Sequence, residues 1–165
     1  MKLGIMSDSH DRADTVQAAI RILEDAGATH FIHCGDVGGI EVFQEFVGRP
    51  LTFVWGNCDM LTQGLRAFLE TAALNVPESV PTVCEFDGKR FAIFHGHESG
   101  FSPQWADGNG GQVDYILHGH THMCRDERIG DVRVINPGAL FRCRQKTVAT
   151  LDVARDELQF IDVND

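Results

Sequence analysis

Five stretches of the chain share one profile: a short apolar run that ends abruptly in polar residues and a glycine. They are KLGIMSDSH (2–10), THFIHCGD (29–36), LTFVWGNCD (51–59), RFAIFHGH (90–97) and VDYILHGHTH (113–122). Near-continuous apolar runs of this length predict strands buried on both faces. Between the first two, RADTVQAAIRILEDAGA (12–28) sets Val16, Ala19, Ile20, Ile22 and Leu23 on one face at a period near 3.6, which predicts a helix. Asp14 is its expected N-cap and Gly27 its C-cap. GIEVFQEFVGR (39–49) predicts a second, shorter helix that buries Val42, Phe43 and Phe46. Strand alternating with helix implies βαβ units. Towards the C-terminus the texture changes to short strands at RVIN (133–136), TVATLDV (147–153) and ELQFIDV (157–163), with ARD (154–156) as a hairpin turn. The polar, glycine-rich ESGFSPQWADGNGG (98–111), which contains Trp105, reads as a surface loop.

Length and charge narrow this picture. The 165 residues suit a single domain, 1–165, with a full core. A net charge of −10 gives the chain no positive field for non-specific nucleic-acid or anionic-membrane binding. The N-terminal apolar run is broken by Asp8, so neither a signal peptide nor a membrane span is expected there. Five scattered cysteines without a Cys-x-x-Cys pair point to reduced thiols and a cytoplasmic location. A small phosphate ester stays open as a substrate, provided that a local cation such as a metal ion holds it.

The polar residues that could supply such a cation gather where the predicted strands end. Asp8 and His10 follow the first strand, Asp36 the second, Asn57 and Asp59 the third, His95 and His97 the fourth, and His118, His120 and His122 the fifth. Open α/β sheets bind ligands outside those carboxyl ends. Imidazole, carboxylate and amide donors suit Mn, Fe, Zn, Co or Ni, and no thiolate stands at an obvious ligand spacing. Asp8, His10, Asp36, Asn57, His95, His120 and His122 are too many for one catalytic ion and fit two ions that share a carboxylate. Gly35, Gly56, Gly96 and Gly119 flank these residues where the backbone must turn or allow close approach. Taken singly, Asp8 or Asp36 could instead be a helix cap.

The ordered blocks DSH (8–10), GD (35–36), GN (56–57), HGH (95–97) and GHTH (119–122) resemble the calcineurin-like metallophosphoesterases over nearly the whole chain. GNCD (56–59) and NPG (136–138) are similar to the small YfcE-type phosphodiesterase branch. The resemblance implies a four-layer α/β/β/α sandwich with two central mixed sheets. It also implies two divalent transition-metal ions, Mn first and Fe, Zn, Ni or Co otherwise. Asp8, His10 and His122 would hold one ion, Asn57, His95 and His120 the other, and Asp36 would bridge. The implied reaction is attack by a metal-bridging hydroxide on a small phosphate ester, with Asn57, His97, Cys58 and Asp59 around the reacting group. Asp59 is expected to orient its neighbours, and His97 to contact phosphate or donate a proton. His33 and His118 are expected to be buried bystanders. Relatives are often dimers or tetramers. Three departures stand out: Cys58 replaces the His that many relatives carry as the proton donor, the interval between HGH (95–97) and GHTH (119–122) is short and shows no clear helix, and Ala139 replaces a Ser after Asn-Pro-Gly. The alternatives are a phosphomonoesterase, a nuclease, or a non-catalytic protein-interaction scaffold on the same fold.

Overall fold

Two five-stranded mixed sheets stack face to face in the computed structural model, which describes residues 1–99, 101 and 113–164. The first sheet uses β1 (Lys2–Met6), β2 (His30–His33), β3 (Leu51–Phe53), β9 (Thr147–Asp152) and β10 (Glu157–Asp162). Their order is β10-β9-β1-β2-β3. The second uses β4 (Thr82–Phe86), β5 (Lys89–Ile93), β6 (Tyr115–Leu117), β7 (Cys124–Ile129) and β8 (Val132–Pro137), in the order β4-β5-β6-β8-β7. Strands β1, β2 and β3 run parallel, as do β5, β6 and β8. The remaining strands add antiparallel neighbours.

Alternation along the strands explains why their sequences are apolar throughout. Leu3, Ile5 and Ile32 point between the sheets and meet Phe91, Ile93, Leu117 and Ile135. Met6, Phe31 and Phe53 face the other way, into a core completed by α1 (Ala13–Asp25), α2 (Ile40–Gln44) and α3 (Gln63–Thr71). These helices contribute Val16, Ile20 and Leu23, then Phe43, then Leu65 and Leu69. Trp55 packs edge-on against Phe53 and Phe43. On the outer face of the second sheet, Ala92, Ile116 and Val134 form a third cluster with Phe101 against it. The expected helical layer over that face would come from the β5–β6 connection, which lies mostly outside the described residues, as does Trp105.

Several local expectations need correction. Helix α1 begins before Asp14, with Arg12 at the N-cap position and no side-chain cap. Asp14 sits instead in the first turn, where its charge favours the helix dipole. Gly27, at φ +88°, does turn the chain out of the helix. Helix α2 stops at Gln44, short of the stretch to 49. Helix α3 and strands β4 and β7 were not predicted. Helix α3 buries only Leu65 and Leu69, and β7 is an exposed edge of mostly charged residues.

Candidate metal centre

The carboxyl ends of β1, β2, β5 and β6 are sewn together by backbone hydrogen bonds. Asp8 N–H donates to Gly35 O (3.0 Å), His10 N–H to Asp36 O (3.0 Å) and Gly119 N–H to His95 O (2.8 Å). Asn136 Nδ2 donates to Gly119 O (2.8 Å) and fixes the loop that carries His120 and His122. Thus residues more than a hundred positions apart share one crevice.

Five of the seven ligand candidates hold left-handed backbone: Asp8 (φ 55°), His10 (44°), Asp36 (51°), His120 (66°) and His122 (58°). Each costs about 1 kcal/mol relative to right-handed backbone. Such conformations gather at functional sites, where surrounding contacts enforce them. Two glycines make the enclosure possible through space alone. A Cβ on Gly56 would lie 2.1 Å from Asp36 Oδ1, and one on Gly119 would lie 1.9 Å from Ser7 Oγ. The glycines thus admit the carboxylates and their supports.

The side chains meet acceptor to acceptor. His122 Nδ1 faces the Arg142 carbonyl (3.2 Å), which can only accept, so the ring proton sits on Nδ1. The lone pair of Nε2 is then turned on Asp8 Oδ1, 3.0 Å away. His95 repeats the arrangement: Nδ1 donates to Cys34 O (2.8 Å), while Nε2 faces Asn57 Oδ1 (3.1 Å) and Asp36 Oδ2 (3.4 Å). His10 Nε2 lies 3.6 Å from the same Asp36 oxygen and 4.0 Å from Asp8 Oδ1. Asp8 Oδ1 and His10 Nε2 are buried without any hydrogen-bond partner. Lone pairs converging without donors require a proton or a cation between them, so these residues fit metal ions. Asp8, His10 and His122 form one group of donor atoms in ligand range, and Asp8, Asp36 and His95 another. The His120 ring lies 5.1 Å from that of His95, but it completes neither group and is exposed.

The electrostatics follow from this convergence. Burial drives the Asp36 carboxyl up, yet the His95 ring and the Cys58 N–H (2.8 Å) together hold it well below the usual carboxylate range. Burial opposes a charge on His95, but Asp36 and the Cys34 carbonyl outweigh it and raise the pKa.

The surrounding residues divide by what they touch. Asp59 accepts through its oxygens from Gly38 N–H (2.9 Å) and Gly56 N–H (2.7 Å) and ties the β2 and β3 loops together. Burial raises its pKa. Cys58 is exposed, with its sulfur in ligand range of His10 and Asp36, a proximity that spacing along the chain did not reveal. Desolvation and the Asp36 charge raise its thiol pKa, which disfavours a thiolate nucleophile. His97, partly exposed, stands 5.3 Å ring to ring from His95. His33 and His118 are buried, and desolvation pushes their pKa values down to about 3 and about 4. Sequence reasoning missed Glu98, whose two oxygens accept from His95 N–H (2.8 Å) and Gly96 N–H (2.6 Å). It also missed Ser7, whose hydroxyl donates to Asp8 Oδ2 (2.6 Å). A carboxylate that caps a ligand loop three residues away has no periodic signal.

Paired mixed sheets with an imidazole–carboxylate crevice at their strand ends define an α/β class with a candidate metal centre at the sheet edge. More narrowly, the chain belongs to the calcineurin-like phosphoesterase superfamily, whose domain model matches residues 1–156. It is 32% identical over 166 positions to a phosphodiesterase of Methanocaldococcus jannaschii, covering 98% of each chain. The solved structure of an archaeal phosphodiesterase superposes with a TM-score of 0.84 at 31% identity, over 98% of this chain and 99% of that one. The phosphoesterase YfcE of E. coli gives 0.68 at 20% identity, over 99% and 100%, a likeness of fold.

Proposed function

We propose that the protein is a dinuclear metal-dependent phosphodiesterase acting on small phosphate esters. The observation that carries this reading is Asp36 Oδ2, which lies 3.6 Å from His10 Nε2 and 3.4 Å from His95 Nε2, two histidines that fall in different donor groups. Asp8, His10 and His122 would hold one divalent ion and Asn57, His95 and His120 the other, with Asp36 shared. Mn is the first candidate for both, with Fe, Zn, Ni or Co as alternatives. Such a pair of ions supplies an activated water and offsets the charge of a phosphate in line for displacement.

The chain's own residues do the rest. Arg142 O and Cys34 O fix the tautomers of His122 and His95, so that each Nε2 lone pair faces inward. Ser7 and the His120 N–H (3.1 Å) occupy Asp8 Oδ2 and leave Oδ1 for the centre. Glu98 holds the His95 loop, and Asp59 braces the Asn57 loop. His97 and Cys58 line the approach, where His97 can contact the phosphate or protonate the leaving oxygen. A phosphodiesterase is favoured over a monoesterase by the likeness to the archaeal enzyme. The convergence of unpartnered lone pairs disfavours a scaffold, which has no need of it.

Asp36→Asn tests the assignment. It is expected to lower Mn binding by calorimetry and to abolish hydrolysis of bis(p-nitrophenyl) phosphate. Full occupancy of two ions with unchanged activity would remove the shared-carboxylate role.

A further inference from the structure

Beside the centre, a single aromatic ring carries two guanidinium groups. Phe141 lies 5.9 Å ring to ring from His10. The guanidinium carbon of Arg12 stands 4.3 Å from the centroid of that ring, and that of Arg142 stands 5.5 Å away. Planar guanidinium groups stack on aromatic faces and keep their donors free at the edge. Arg142 is tied to the centre through its carbonyl, which orients His122. It also holds left-handed backbone, at φ 53°, as the ligand candidates do.

Neither guanidinium has an ion-pair partner among the described residues. Among those residues Arg49, Arg125, Arg128, Arg133 and Arg155 pair with carboxylates, whereas Arg12 and Arg142, like Arg21, Arg66, Arg90 and Arg144, do not; what sets Arg12 and Arg142 apart is the ring they share. Arg12 occupies the N-cap position of α1, where Ser, Thr, Asp or Asn would stabilise the helix by about 1 kcal/mol, and it makes no cap. The side chain is directed instead to the Phe141 ring. A cavity of about 690 Å³ opens there, bordered by Arg12, Phe141 and Lys146, large enough for a second ester group. Asp11, Asp14 and Glu41 also border it, so the cavity as a whole is not basic. Arg142 does not border it, so the cavity meets the guanidinium pair only at Arg12 and Phe141.

We propose that Arg12 and Arg142, braced on Phe141 at the rim of the centre, form an anion-recognising subsite that favours phosphodiesters with a second negatively charged group near the scissile phosphate. The inference rests on the phosphodiesterase reading for its biological use, but the subsite can be measured without turnover. Mn-loaded protein is titrated calorimetrically with phenylphosphonate and with 3- and 4-phosphonobenzoate, which add a carboxylate to the same anchor and cannot be hydrolysed. Wild type is expected to bind at least one phosphonobenzoate about fivefold more tightly than phenylphosphonate, as suits a partly exposed charge-assisted contact. In R12Q/R142Q that preference is expected to disappear while the melting temperature confirms a folded chain. Equal affinity of wild type for all three probes, or a preference that persists in the double variant, overturns the subsite. Hydrolysis of bis(p-nitrophenyl) phosphate by the same preparation reports separately on the catalytic reading.

Discussion

Alanine at Gly56 and alanine at Gly64 are the same chemical change, yet the structure predicts opposite outcomes. At Gly56 the added methyl would stand 2.1 Å from Asp36 Oδ1 and 2.3 Å from the Asp36 backbone nitrogen, where real Cβ atoms keep 3.0 Å or more. Backbone cannot rotate aside as a side-chain tip can, so the β2 or β3 loop must move by nearly 1 Å. Overpacking of this kind costs about 1–3 kcal/mol. For a chain of this size that lowers the melting temperature by roughly 3–10 °C. The shift also displaces Asp36 and Asn57, so metal affinity should fall with stability. At Gly64, in the first turn of α3, nothing lies within 4 Å and the backbone needs no glycine. Alanine there restricts the unfolded chain and should stabilise by about 0.4–1 kcal/mol. Scanning calorimetry of both variants, with Mn titrations of each, is the measurement. A Gly56→Ala protein that melts with wild type and binds Mn equally well would refute the claim that this glycine exists to admit Asp36.

Two further predictions address the proton inventory. Cys58→His is expected to speed hydrolysis of diesters with poor leaving groups more than that of activated aryl diesters, because it restores an acid at the approach; equal acceleration of both would sink this explanation. His118 is neutral when buried, its pKa pushed down from 6.5 to about 4, whereas in the unfolded chain it takes up a proton below about 6.5. The unfolded state then binds more protons, so this histidine makes stability fall as the pH drops from about 6.5 towards 4. Between pH 7.5 and 5.5 its contribution is roughly 1.3 kcal/mol. In urea denaturation of metal-free protein, His118→Leu should lose that part of the pH dependence, and an unchanged slope would count against it.

Much of the centre could be read from the chain because each candidate ligand follows a strand buried on both faces. The apolar run marks the strand, and its sudden end marks the sheet edge. Strand β7 escaped notice for the opposite reason. Arg125, Asp126, Glu127 and Arg128 lie along a half-exposed edge, held by the ladder to β8 and by ion pairs such as Arg133 with Asp126. No apolar period survives there. Helix α3 had a legible cue in Thr62, whose hydroxyl accepts from Leu65 N–H (3.2 Å), but its two buried leucines make a weak stripe. The roles of Glu98, which caps the His95 backbone, and of Arg142, whose carbonyl meets the His122 ring, depend on partners they reach only after folding. The left-handed turns at Asp8, His10 and Asp36 were equally hidden, since none of these positions is a glycine.

Those turns set heat resistance against chemistry. Glycine would release about 1 kcal/mol of backbone strain at each of Asp8, His10, Asp36, His120 and His122. It would also remove the buried carboxylates whose charges otherwise need a counter-ion. Selection for thermal endurance alone should therefore erode this crevice before any other part of the molecule. A population passaged under heat, with no demand for turnover, would keep its sheets and forget its histidines.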